Sequence, residues 1–104
     1  MKEAYTNPEL SLKSLADDLG TNTSYLSSAV NSHYNCNLPS LINKYRIDKA
    51  RHLMVSDEFK HYSMEGIALE VGFKSRSVFY QSFKIITGLS PNLYVENYKL
   101  VISD

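Results

Sequence analysis

A six-residue pattern occurs twice in this chain. Leu15-Ala16-Asp17-Asp18-Leu19-Gly20 returns 52 residues later as Ile67-Ala68-Leu69-Glu70-Val71-Gly72. Apolar, Ala, two free positions, apolar, Gly describes a helix that ends in a tight turn. The small Ala lets a second helix cross closely, and the Gly takes the positive φ that stops the first one. An amphipathic segment follows each copy. The spacing therefore predicts two helix-turn-helix units, the motif whose second helix lies in a DNA major groove.

The repeat extends beyond the signature. Leu26 corresponds to Phe79 and Val30 to Phe83, now 53 residues apart, so the second turn is one residue longer. Leu41 and Ile42 correspond to Tyr94 and Val95 at that same offset. Each unit reads as helix, turn, helix, loop, helix. The first helix is capped by Ser11 and runs to about Leu19, with Leu12, Leu15, Ala16 and Leu19 on one face. Thr23 or Ser24 caps the next, to about His33, with Leu26 and Val30 inward. A long helix from about Pro39 to Val55 follows, with Pro early in its first turn, where it is tolerated. It has two apolar lines, one through Leu38, Leu41, Ile42, Tyr45, Ala50, Leu53 and Met54 and the other through Ile47, Ala50 and Met54. Two buried sides make it a connector between two small bundles. Ser63 caps a helix to about Val71, and Ser75 caps one to about Thr87 with Val78, Phe79, Ser82, Phe83 and Ile86 inward. A last helix from Ser90-Pro91 to about Lys99 buries Leu93 and Tyr94.

These boundaries divide the chain into a leading remnant over residues 1–10, a first unit over 11–37, a connector over 38–56 and a second unit over 57–104. With 43% apolar residues in 104, the chain is one domain with enough material for a packed interior. No run of 18 apolar residues is present to span a membrane, and the N-terminus has no signal-peptide core. A single cysteine, Cys36, excludes an internal disulfide and fits a reducing, cytoplasmic setting.

Charge is distributed unevenly although its sum is zero. Residues 1–43 carry two Lys against four Asp/Glu, a net −2, and residues 44–104 carry nine Lys/Arg against seven Asp/Glu, a net +2. Within 73–99, Lys74, Arg76, Lys84 and Lys99 face Glu96 alone, a net +3. Attraction for phosphate is therefore local to the second repeat. The neutral total supports a rival reading, a helical protein-interaction module that keeps the fold without binding DNA.

The outer faces of the two second helices carry the chemistry. Ser24, Ser27, Ser28 and Asn31 are small and polar, and they let a helix sit deep in a groove and bond to base edges. A solvated face is the bland alternative for these four. Arg76, Ser77, Tyr80 and Gln81 are more pointed, since Arg suits guanine, Gln suits adenine, and Tyr packs on a thymine methyl or bonds a phosphate. The phosphate-contact candidates are Thr23, Lys44, Arg46, Lys74, Ser75 and Lys84. Snorkelling charge is the alternative for Lys44 and Arg46, and Arg46, beside the apolar stripe, has an internal ion pair as a further one. His33 and Cys36 are three residues apart, with His52 and His61 elsewhere, which is too few ligands at too loose a spacing for zinc. No catalytic residue, metal site or cofactor is expected, and the chain is not read as an enzyme.

These residues resemble the C-terminal DNA-binding domain of the AraC/XylS family of bacterial transcription regulators, over roughly residues 10–98. The more specific half is Arg46-Ile47-x2-Ala50-x2-Leu53 followed by Ile67-Ala68-x2-Val71-Gly72-Phe73-x-Ser75-x3-Phe79-x3-Phe83-Lys84-x3-Gly88-x-Ser90-Pro91-x2-Tyr94. In the first half, Asn22, Tyr25-Leu26-Ser27, Asn31 and Ile42-Asn43-x-Tyr45-Arg46-Ile47 are similar in style to Bacteroidetes-type regulators. The resemblance implies an all-α fold of two helix-turn-helix subdomains joined by a long helix, seven helices in all. It implies recognition helices in successive major grooves of double-stranded DNA and a role as an activator that also touches RNA polymerase, located with the nucleoid. By position, the implied base readers are Ser24, Ser27 and Ser28 in the first unit and Arg76, Ser77, Tyr80 and Gln81 in the second. The chain departs from the family pattern in three ways. It has only residues 1–7 where a longer leading helix is usual, Asn35 where Gly is usual, and Asn31-Ser32 where Lys is common. A sensing or dimerising region is expected in a longer protein.

Overall fold

Six α-helices and two single turns of 3-10 helix make up the computed structural model, which describes residues 4–102. The helices are α1 (Leu12–Asp18), α2 (Thr23–Tyr34), α3 (Leu38–Met54), α4 (Met64–Glu70), α5 (Arg76–Thr87) and α6 (Pro91–Ile102), and no strand is present among the described residues. The 3-10 turns are Ala4–Thr6 and Asp57–Phe59. Of the leading remnant expected over 1–10, residues 1–3 lie outside the described residues, and the part from Ala4 is a 3-10 turn packed on α3.

Side-chain caps explain most helix starts. The Ser11 hydroxyl accepts the Ser14 N–H at 3.1 Å while the Ser14 hydroxyl accepts the Ser11 N–H at 2.9 Å, a reciprocal pair that satisfies two orphan donors. Asn37, Ser63 and Ser75 cap α3, α4 and α5 in the same sense. The cap of α2 is Asn22, whose side-chain carbonyl accepts the Tyr25 N–H at 2.8 Å, and Thr23 is already helical. The expected cap, Thr23 or Ser24, is thus corrected to the residue before them, since Asn caps as well as Ser or Thr. Helix α6 continues to Ile102, three residues past the expected end.

Two cores hang on one connector. Leu38, Leu41 and Ile42, from the first half of α3, join Ala16, Leu26 and Val30. Ile47, Ala50 and Met54, from its second half, join Ile67, Ala68, Val71, Phe73, Phe79 and Phe83. The two bundles thus divide α3 by its halves and not by its two apolar lines, since the line from Leu38 enters the second core at Ala50, and the principal extents of 50 × 24 × 23 Å follow from that arrangement. Four side chains expected inward lie at the surface instead, namely Leu19, Tyr45, Val78 and Leu93. Leu19 is the C-cap of a seven-residue helix, where the face turns outward as the chain leaves it.

Candidate nucleic-acid interface

The two reading helices are built alike to the residue. α2 and α5 each contain 12 residues, and their caps, Asn22 and Ser75, stand 53 positions apart. Each ends on a left-handed residue, Asn35 at φ 58° and Gly88 at φ 82°. Both of these donate their N–H four residues back, to the carbonyls of Asn31 and Lys84. This shared frame pairs Thr23 with Arg76, Ser24 with Ser77, Ser27 with Tyr80, Ser28 with Gln81 and Asn31 with Lys84.

On α2, Thr23, Ser24, Ser28 and Asn31 are exposed and Ser27 is half-buried. The Asn31 amide donates to the Ser27 carbonyl at 2.9 Å and so lies along its own helix. On α5, Ser77, Gln81 and Lys84 are exposed, with Arg76 on one flank and Tyr80 half-buried beside it. The Arg76 guanidinium carbon lies 4.9 Å from the centre of the Tyr80 ring, and its Nη2 is 3.4 Å from the Tyr80 hydroxyl. The hydrogen bond to Tyr80 pushes Arg76 above the ordinary guanidinium pKa, with Glu65 adding to the effect. Arg76 and Tyr80 share a shallow pocket with Ser63, Met64, Glu65 and Asn92, a neighbourhood that spacing along the chain did not reveal.

The phosphate candidates divide. Lys44 and Lys84 are exposed, Thr23 opens α2, and Ser75 is the cap of α5. Lys74, just before that cap, is paired with Glu9, Nζ lying 2.8 Å and 3.3 Å from the two carboxylate oxygens. Both partners are well exposed, so the pair contributes about 0–1 kcal/mol and yields readily to a stronger anion. Arg46 is corrected. It is 8% exposed, and its Nε and Nη2 donate to the carbonyls of Tyr5 and Asn7 at 2.6 and 2.9 Å. Burial pushes its guanidinium pKa down, and its Cζ sits 5.6 Å from the centre of the Phe73 ring. A guanidinium committed to the interior does not reach a phosphate. Arg46 does turn inward, but its partners are main-chain carbonyls and not the carboxylate of the expected ion pair.

Spacing along the chain overlooked the apolar flank of each reading helix. Tyr25 is 67% exposed, and Val78, its partner in the shared frame, is 48% exposed. Ile85, also on α5, is 83% exposed. Equivalence of Tyr25 with Val78 was the available signal, since a Tyr at an inward position of the first unit is out of keeping with Leu26 and Val30. Among the described residues no group of three His, Cys, Asp or Glu side chains comes together to hold a metal. Among the described residues no helix is long and apolar enough to cross a membrane.

Comparison with known proteins agrees with this geometry. A family model described as a helix-turn-helix domain matches residues 15–97. The chain is similar to the C-terminal domain of AraT, a response regulator from Geobacillus stearothermophilus, with 29% identity and a TM-score of 0.83 over 91% of this chain and 76% of that one. It is similar to the C-terminal domain of the two-component response regulator yesN from Fusobacterium nucleatum, with 26% identity and a TM-score of 0.81 over 90% and 88% of the two chains. A DNA-binding transcriptional dual regulator from Escherichia coli K-12 follows with 25% identity and a TM-score of 0.73 over 86% and 77%. A search of curated proteins found no match. The matched segment takes in both reading helices and the connector between them, and on that ground the chain belongs to the helix-turn-helix domain family of the AraC type.

Proposed function

We propose that this chain reads double-stranded DNA with α2 and α5 in two successive major grooves on one face of the duplex, as part of a bacterial transcription regulator. The observation that carries this reading is the matched pair of capped 12-residue helices, each with an exposed polar outer face. One turn of B-DNA is about 34 Å, and the 50 Å molecule is long enough for both helices to meet the same duplex a turn apart. Because one chain supplies both, the site is asymmetric, with two boxes about 10 base pairs apart. The base readers are Arg76, Ser77, Tyr80 and Gln81 on α5 and Ser24, Ser27, Ser28 and Asn31 on α2. Lys74, Lys84, Lys44, Thr23 and Ser75 hold the phosphates. Lys74 does so by exchanging Glu9 for a phosphate oxygen.

We propose further, on the family resemblance, an activator role in the cytoplasm, through contact with RNA polymerase and under control of a sensing region. Fluorescence anisotropy on mixed-sequence duplex tests the core of the reading. Binding that weakens steeply with salt is expected. The zero net charge favours a second reading, a protein-interaction module that kept the fold. Absence of DNA binding at every salt concentration would decide for it.

A further inference from the structure

We infer that residues 4–10 act as a strap that locks the two reading helices at one fixed spacing, with Arg46 as its positioning residue. The inference rests on the DNA-binding reading above and adds what sets the distance between the boxes. The strap touches all three parts of the molecule. Tyr5 and Leu10 pack against the first core. Tyr5 also stacks on Tyr45 of the connector, ring centres 5.6 Å apart and planes 23° apart. In the free protein Glu9 also reaches Lys74 at the threshold of α5, a tie the lock on DNA does not require, since Lys74 there turns to phosphate.

Arg46 lies on α3 between Ile42, which belongs to the first core, and Ile47, which belongs to the second. From there it binds the Tyr5 and Asn7 carbonyls and covers the Phe73 ring. Gly72 completes the junction. A Cβ there would stand 2.6 Å from the Tyr5 carbonyl oxygen and 2.8 Å from Arg46 Nε. Strap and second turn therefore meet backbone to backbone, with the Arg46 side chain of the connector reaching in beside them.

Without the strap, α3 is the main tie between the bundles, and only the packing of each bundle on its own half of α3 sets their relative orientation. A change of one base pair between the boxes moves the second box about 3.4 Å along the duplex and about 35° around it. A locked pair of heads cannot follow that displacement, whereas a loosened pair can. Locking also raises the effective concentration of the second head over its own box.

The experiment is a selection from a random-sequence 30-base-pair duplex pool, run in parallel with the natural chain and with Arg46→Met. Met keeps the apolar stem and removes the donors. The natural chain is expected to enrich two boxes at one spacing, and Arg46→Met the same two boxes at several spacings. On duplexes built from the selected boxes, the natural chain should lose about tenfold in affinity when one base pair is inserted, and the variant about twofold. Affinity for a duplex carrying the second box alone should be unchanged, which a merely misfolded variant would not manage. Arg46→Lys, with one donor group restored, should narrow the spacing again. If Arg46→Met fails to fold, Tyr5→Ala with Glu9→Gln loosens the strap from its exposed side and takes its place. A folded variant that selects one spacing as sharply as the natural chain overturns the strap. Enrichment of no DNA by the natural chain overturns the DNA-binding reading itself, and enrichment of a single box overturns the coupled use of the two helices.

Discussion

The two units share a frame and differ in what fills it. The second core contains Phe73, Phe79 and Phe83, with Phe79 5.5 Å from Phe73 and 5.8 Å from Phe83 between ring centres. Tyr94 closes the cluster edge-on to Phe83. The buried side chains of the first core are all aliphatic, Ala16, Leu26, Val30, Leu38, Leu41 and Ile42. An open groove of about 290 Å³ runs beside it, lined by Tyr5, Leu15, Val30, Tyr34, Leu38, Leu41 and Tyr45. Aromatic rings bury more area per residue and interlock edge to face, so the same three-helix plan is better filled in the second unit. Its surface differs in parallel, with Arg76, Gln81 and Lys84 where the first unit has Thr23, Ser28 and Asn31. One unit has the aromatic core and a cationic outer helix face, and the other has an aliphatic core and an uncharged one.

Substitutions at equivalent core positions provide the largest test of this difference. Phe79→Ala should cost about 3–5 kcal/mol, because it opens a cavity within a fully buried cluster. Leu26→Ala, at the same position of the first unit, should cost about 2–3 kcal/mol, the low end for a Leu that borders the surface. Urea unfolding of the two variants measures both. Equal costs would show that the first core is packed as tightly as the second.

A smaller effect separates the two turns. Gly72, at φ +108°, has the Tyr5 carbonyl and Arg46 where a side chain would go, and Gly20, at φ +69°, has nothing within 4 Å. Gly20→Ala should cost about 1 kcal/mol, the strain of a left-handed residue with a Cβ. Gly72→Ala should cost roughly 3 kcal/mol, since the same strain is joined by a clash with backbone. Thermal melts of the pair give the difference, and a Gly72→Ala no worse than Gly20→Ala would mean that strap and turn are not in contact in solution.

What could be read from the chain, and what could not, divides along the same line. The doubled signature marked both turns, and Ser11, Ser63 and Ser75 were identified as caps because capping acts over three residues. The apolar residues of α3 foretold a connector between two cores because helical periodicity is local, although the division falls between its halves and not between its stripes. The junction was invisible. Arg46 meets Tyr5 and Asn7 across 41 and 39 positions, and Lys74 meets Glu9 across 65, with no periodic pattern to announce either. Arg46 was accordingly placed among the phosphate candidates, although its neighbourhood on the apolar stripe pointed inward. The surface positions of Val78 and Leu93 show the same limit, since a 3.6-residue period places an inward face only to within a flank.

On DNA, the contrast predicts unequal readers. Arg76→Ala should cost about 1–3 kcal/mol on a selected site and relax specificity under α5. Ser24→Ala and Ser28→Ala should each cost less than about 1 kcal/mol, the worth of a single neutral hydrogen bond. Competition anisotropy at fixed salt compares them. Serine variants as damaging as Arg76→Ala would reverse the ranking of the two helices.

The smallest effect concerns how α2 and α5 stop. Both need a left-handed residue, and the second unit supplies Gly88 while the first supplies Asn35, the one non-glycine residue with positive φ among those described. A Cβ in that conformation approaches the following carbonyl, and Asn tolerates it better than other side chains because its amide bonds locally. Asn35→Gly removes the clash, and Asn35→Ala keeps it without the compensation. The glycine variant should gain about 0.5 kcal/mol and the alanine variant lose about 1 kcal/mol. The 1.5 kcal/mol spread between the two is wide enough to resolve by urea unfolding, and it sits wholly in the first unit. If Asn35→Gly leaves stability unchanged while Asn35→Ala lowers it, the Asn side chain already offsets the strain, and the two helix ends are equivalent in energy as well as in geometry. If both variants are neutral, α2 frays before Asn35, and the first reading helix is shorter in solution than its counterpart.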